Sequence, residues 1–157
     1  MQQAIFFLFA IVAGVMLPVQ AGLNTEIGRS VKDPVYASLI SFVIGTIGLV
    51  LYLLLARADW GEIRNTASLP WYYWTGGLMG AVYVAAIVVL TPRLGVALTF
   101  GLTVAAQMVF GVIMDHYGWL GVPKSPINWM RVLGVLLIIA GVVIVRVNQT
   151  IVVAIPE

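Results

Sequence analysis

The chain has 157 residues, of which 62% are hydrophobic and only 9% charged, with a formal net charge of +2 and a mean hydropathy of +1.07. A soluble domain carries about a quarter charged residues, and a core of this length cannot hide so much apolar surface, so a soluble globular fold is excluded. With no cysteine there are no disulfides or thiolate metal sites, the lone His116 cannot make a metal cluster, and the scattered basic residues offer no patch to nucleic acid.

A spanning helix needs roughly 20 mainly apolar residues. Five stretches meet this condition, at about residues 4–27, 35–56, 71–91, 96–116 and 130–147, with a short tail over 148–157. The expected fold class is all-α: a polytopic integral membrane protein whose single membrane domain covers residues 1–157. The first stretch resembles a signal peptide where Val19-Gln20-Ala21 ends its apolar run. The first ten residues contain no Lys or Arg, however, and Pro18 falls near the cleavage position, so it reads as an uncleaved helix. Pro18 is expected to interrupt its backbone ladder. Gln20 and Asn24 follow at i and i+4, on one helix face. An amide facing hydrocarbon without a partner is costly, so both should point into a protein interior or a wet cavity. Glu26, two residues on, projects to roughly the opposite side, where it either pairs with Arg29 at the helix end or takes part in ion coupling.

A polar link over 28–34 ends in Asp33-Pro34, a helix start with a capping Asp and Pro in the first turn. In the second span Ser38, Ser41, Gly45, Gly48 and Tyr52 recur at steps of three and four, a small-residue stripe suited to close helix packing. Residues 57–70 read as a solvated interfacial segment, and Trp71-Tyr72-Tyr73-Trp74 as an aromatic belt at the membrane surface. Tyr83 lies deep enough in the third span for its hydroxyl to need a partner, a backbone carbonyl or a ligand. The run Thr91-Pro92-Arg93-Leu94-Gly95 is expected to be a tight turn. In the fourth span Thr99, Thr103, Gln107, Gly111 and Asp115 recur every four residues. Gln107 falls near the middle, either as a companion for Gln20 or as structural glue between helices. Asp115 is either a solvated surface residue beside His116 or a coupling acid. The fifth span carries no polar side chain between its end arginines, which suits lipid contact or a dimer seam.

Five spans put the termini on opposite sides. Arg57, Arg64, Lys124 and Arg131 then share one side, and Arg29, Lys32, Arg93 and Arg146 the other. Orientation follows a surplus of Lys and Arg in cytoplasmic loops, and a four-against-four count supplies none. Such a chain is free to insert both ways and pair as an antiparallel ten-helix dimer, the inverted-repeat architecture of many carriers.

The chain resembles the five-helix YdcZ-type branch of the drug/metabolite transporter superfamily. The resemblance rests on residues 19–24, 41–46 and 74–81, on Pro92-Arg93-Leu94-Gly95, on Gln107 with Asp115-His116-Tyr117-Gly118, and on Leu133-Gly134 with Ala140-Gly141-Val142. It implies a bacterial inner-membrane exporter, paired head to tail or with a sister subunit. The four-helix small multidrug relatives depend on a glutamate in the middle of their first helix. Here that place holds Ala13 or Gly14, so proton-coupled cation export through a central carboxylate is not implied.

The function expected is small-molecule transport by alternating access, at a site built from Gln20, Asn24, Tyr83 and Gln107 of both protomers, with Trp74 as a stacking wall. These neutral groups suit a polar or zwitterionic solute, since a permanent cation would prefer a carboxylate. Glu26 and Asp115 are the candidate coupling acids. The alternative is a non-transporting scaffold or regulatory subunit docking through the small-residue stripe. No nucleophile–base pair or metal cluster suggests an enzyme, and no cofactor or metal is expected.

Overall fold

A computed structural model describes residues 2–149. Most of the tail expected over 148–157, from residue 150 on, lies outside the described residues. Among the described residues the secondary structure is entirely helical: α1 Gln2–Val31, α2 Pro34–Leu55, α3 Thr75–Leu94, α4 Val96–Tyr117 and α5 Trp129–Asn148. All five are long and apolar enough to cross a membrane, α3 together with the aromatic turn before it.

The first compact unit runs to Pro92 and contains α1, α2 and most of α3. At 30 residues α1 is about 45 Å long, well beyond a hydrocarbon core of about 30 Å, so an end must stand in the headgroups or water. Pro18 sits inside the helix instead of breaking it. Its ring removes the bond to the Gly14 carbonyl and crowds that carbonyl, yet the helix continues on both sides. The link expected over 28–34 shrinks to Lys32 and Asp33, because α1 continues to Val31 and closes in a Schellman motif. Asp33 N–H donates to the Gly28 carbonyl at 3.1 Å and Lys32 N–H to the Arg29 carbonyl at 3.3 Å, with Lys32 left-handed at φ 59°. The C-terminus of α2 repeats the device: Ala58 bonds Leu53, Arg57 bonds Leu54, and Arg57 has φ 51°. A left-handed non-glycine costs roughly 1–2 kcal/mol, held here by the helices on either side.

So short a link turns α2 back along α1, and Gly28 meets Ala37 while Asn24 meets Ser41, the register of an antiparallel hairpin. Gly28 is the crowded point. A Cβ there would lie 3.1 Å from Cγ1 of Val88 on α3 and 3.6 Å from Cβ of Ala37 on α2. The small-residue stripe of α2 is therefore used at one end only. Ser38 is buried, whereas a Cβ at Gly45 or Gly48 would meet nothing within 4 Å. Between α2 and α3, the polar link folds as a 3-10 helix over Trp60–Ser68 capped by Asp59, and Trp71–Trp74 makes a second 3-10 turn before α3.

The second unit, from Arg93 on, is built on α4 and α5. The turn expected over 91–95 is a single residue. Helix α3 runs through Pro92 to Leu94, and Gly95 alone, at φ 77°, separates it from α4. Gln149 donates to the Leu94 carbonyl at 2.6 Å and lies where a side chain on Gly95 would have to go. At the opposite end Gly118, at φ 68°, closes α4 with its N–H on the Met114 carbonyl at 2.8 Å. Helices α4 and α5 are antiparallel, since Gly101 meets Val142 while Asp115 meets Arg131. No residue of α5 is buried.

Candidate functional site

In α2 two of the three serine and threonine hydroxyls are spent within the helix. Ser38 Oγ donates to the Pro34 carbonyl at 3.1 Å and Thr46 Oγ1 to the Phe42 carbonyl at 2.7 Å. Ser41 differs. Its Oγ accepts from Nε2 of Gln20 and from Nδ2 of Asn24, both at 3.3 Å, so the two α1 amides converge on one hydroxyl. Asn24 is buried and Gln20 exposed, which puts the cluster at the edge of the α1–α2 seam. It lines a groove of about 390 Å³ whose other walls, including Val19, Leu23 and Ile44, are apolar. The amide oxygens of Gln20 and Asn24 receive no hydrogen bond among the described residues, and the hydroxyl proton of Ser41 is still free to donate. Sequence reasoning put Ser41 in a packing stripe and missed this role. The signal was there: with a link at 32–33, the residue opposite Asn24 in an antiparallel hairpin is 41.

Gln107 belongs to the second unit. It is exposed on α4, makes no hydrogen bond among the described residues, and lines a groove of about 310 Å³ with Gly111 and Asp115 of α4 and Arg131 and Gly134 of α5. Helix α5 thus supplies one wall of a partly polar groove as well as an open surface. At the mouth, Arg131 Nη2 donates to Asp115 Oδ2 at 2.6 Å and Arg131 Nη1 to the Ser125 carbonyl at 2.7 Å. Asp115 is half-buried in this ion pair, and its partner lies across the 118–128 link, outside the residues that sequence reasoning gathered. His116 Nδ1 accepts from the Ile127 N–H at 3.2 Å and helps to hold that link.

The remaining predicted residues lie elsewhere. Glu26 is exposed and paired with Arg29 at 3.3 Å. Trp74 is exposed at the end of its 3-10 turn, and Tyr83 is half-buried on α3 with no hydrogen bond among the described residues. Neither ring lines either groove. Neutral amides, a hydroxyl and one internally balanced ion pair can bind and orient a polar solute. Among the described residues no group of three or more His, Asp or Glu could hold a metal ion.

A family model described as "Putative inner membrane exporter, YdcZ" matches residues 5–144. This chain belongs to the YdcZ family. Inner membrane protein YdcZ of Escherichia coli (strain K12) is 28% identical over 143 residues, spanning 90% of this chain and 94% of that protein. No solved structure matches. The matched region contains the Gln20–Asn24–Ser41 cluster and the Asp115–Arg131 pair, so both grooves lie inside what the YdcZ family model spans. Five apolar helices and this membership make the chain a multi-pass protein of the bacterial inner membrane.

Proposed function

We propose that this chain exports a small polar or zwitterionic molecule by alternating access, at a site built from the amides of two inverted protomers. The observation that carries the reading is the convergence of Gln20 and Asn24 on Ser41 beside an otherwise apolar groove. A polar cluster with spare acceptors is costly against hydrocarbon, and a hydrogen-bonding solute answers it. Gln107, in the groove of the second unit, is the other candidate amide. Trp74 and Tyr83, outside both grooves of one chain, would join through the partner. Of the two coupling candidates, Asp115 lines a groove, whereas Glu26 is exposed and paired with Arg29. The antiparallel dimer, or a pair with a sister subunit, is supported by the balanced basic residues and by α5, where Cβ atoms at Gly134 and Gly141 would meet nothing within 4 Å.

The test uses purified protein in proteoliposomes, with uptake and thermal shift measured against a metabolite panel. Gln20→Met and Gln107→Met preserve volume and remove only polar groups. Both variants should melt near the wild-type temperature while ligand affinity falls roughly 5- to 150-fold, the loss of one good hydrogen bond to a desolvated ligand. Wild-type transport in both variants would remove the amides from the site. A panel in which nothing binds or moves would favour the second reading, a non-transporting subunit docking by the open face at Gly45 and Gly48 of α2.

A further inference from the structure

The groove of the second unit ends in two opposite charges with unused valences. Arg131 is held from three directions. Its backbone N–H donates to Oδ1 of the capping Asn128 at 2.9 Å, Nη1 donates to Ser125, and Nη2 to Asp115. Its Nε–H makes no hydrogen bond among the described residues, and Oδ1 of Asp115 accepts none. Both side chains are part-exposed, at 29% for Arg131 and 37% for Asp115, and both line the groove.

Each charge also sits where its own helix disfavours it. Arg131 is in the first turn of α5, at the positive end of the helix dipole, and Asp115 in the last turn of α4, at the negative end. Helix and side chain therefore add at each end. The groove mouth carries a fixed dipole, positive on the α5 wall and negative on the α4 wall, with no net charge. From Asp115 the groove follows α4 inward for two turns, about 12 Å, to Gln107. Met108, Val112, Val135 and Ile138 make the walls apolar between.

We propose that the Asp115–Arg131 pair is the recognition site for a small zwitterion, its carboxylate on the guanidinium and its ammonium on the Asp115 carboxylate, with a short apolar body lying toward Gln107. The choice of zwitterion follows from charge balance. An anion on Arg131 leaves Asp115 uncompensated, and a cation on Asp115 leaves Arg131 so. A molecule bearing both charges satisfies both at once and keeps the site neutral. The preformed guanidinium favours planar, two-point recognition of a carboxylate. A groove of about 310 Å³ is at the small end of ligand pockets, which run from about 300 to 1,000 Å³. The proposal rests on the exporter reading only in naming the ligand a substrate.

The probes are L-valine, its methyl ester, which keeps only the ammonium, and N-acetyl-L-valine, which keeps only the carboxylate. Binding to the purified full chain is measured by calorimetry. Wild type should bind valine roughly tenfold or more tighter than either derivative, since each lacks one charge-assisted contact. Asp115→Asn should shift preference to the N-acetyl anion, and Arg131→Gln to the ester cation. The double variant Asp115→Asn with Arg131→Gln keeps the shape of the pair and should lose discrimination among the three. A pair that merely braces the link would lower the melting temperature without inverting preference. The same order of affinities in all four proteins, or no valine binding to wild type, overturns the proposal. Valine binding with the expected inversions but no valine uptake would instead count against the exporter reading alone.

Discussion

Ser41→Ala removes one oxygen and leaves two amides without their shared acceptor. The bonds it accepts are both 3.3 Å, at the long end for N–H···O, so each is worth no more than the membrane average of about 0.6 kcal/mol. Together they contribute about 1 kcal/mol. Burial then divides the two amides. Asn24 is 4% exposed, and leaving its Nδ2 unsatisfied costs about 1–3 kcal/mol, whereas exposed Gln20 can turn to another acceptor. The loss on Ser41→Ala should therefore lie between about 1 and 3 kcal/mol, with most of it coupled to Asn24. For a chain of this size each kcal/mol moves the melting temperature by about 2–4 °C. Reversible denaturation in mixed micelles, on Ser41→Ala, Asn24→Leu, Gln20→Met and the two double variants containing Ser41→Ala, measures both couplings. Ser41 should couple to Asn24 more strongly than to Gln20. Wild-type stability for Ser41→Ala, or strictly additive doubles, would mean that the α1–α2 amide cluster holds nothing together.

Two further outcomes concern the turns and the orientation. Gly95→Ala forces a side chain onto φ 77° and to within 2.5 Å of Gln149 Nε2, so it should cost at least about 1 kcal/mol. Because the dihedral strain stays, adding Gln149→Ala should relieve only the clash, and an unchanged melting temperature for Gly95→Ala would show that the turn tolerates side chains. Reporters fused to the C-terminus should give signal from both sides of the membrane, and two added lysines in one side's loops should fix one orientation and lower transport until an oppositely biased copy is co-expressed. One fixed orientation in the wild type would end the dual-topology reading.

The five helices were legible because lipid demands long apolar runs, and no other element satisfies its own backbone there. What the pattern hid were places where a residue type has two uses. Pro18 and Pro92 read as breaks, yet each removes one bond from a helix that neighbouring turns sustain, and the real stop after α3 is the positive φ of Gly95. Ser41 is small enough for a packing stripe and polar enough for a site. Only the register of the hairpin tells which, and that register depends on a link two residues long rather than the expected seven. Arg131 looked like the end of a span, and Asp115 like either a surface acid or a coupling acid. Their pairing needs the 118–128 link folded back, which the Ser125 N–H secures on the Asp115 carbonyl and His116 Nδ1 secures by accepting from the Ile127 N–H, contacts between distant positions that the sequence pattern does not reveal.

The left-handed closures at Lys32 and Arg57 carry a last consequence. Glycine at either place would relieve the strain, and both helix ends would close more easily. But Lys32 is one of four basic residues on its side of the chain, and Arg57 one of four on the other. The insertion machinery weighs these charges on a nascent chain, before any hairpin exists. The strained dihedral is felt only later, when the helices meet. One residue thus answers to two judges at different times, and easing the turn would give an evenly balanced chain a preferred side.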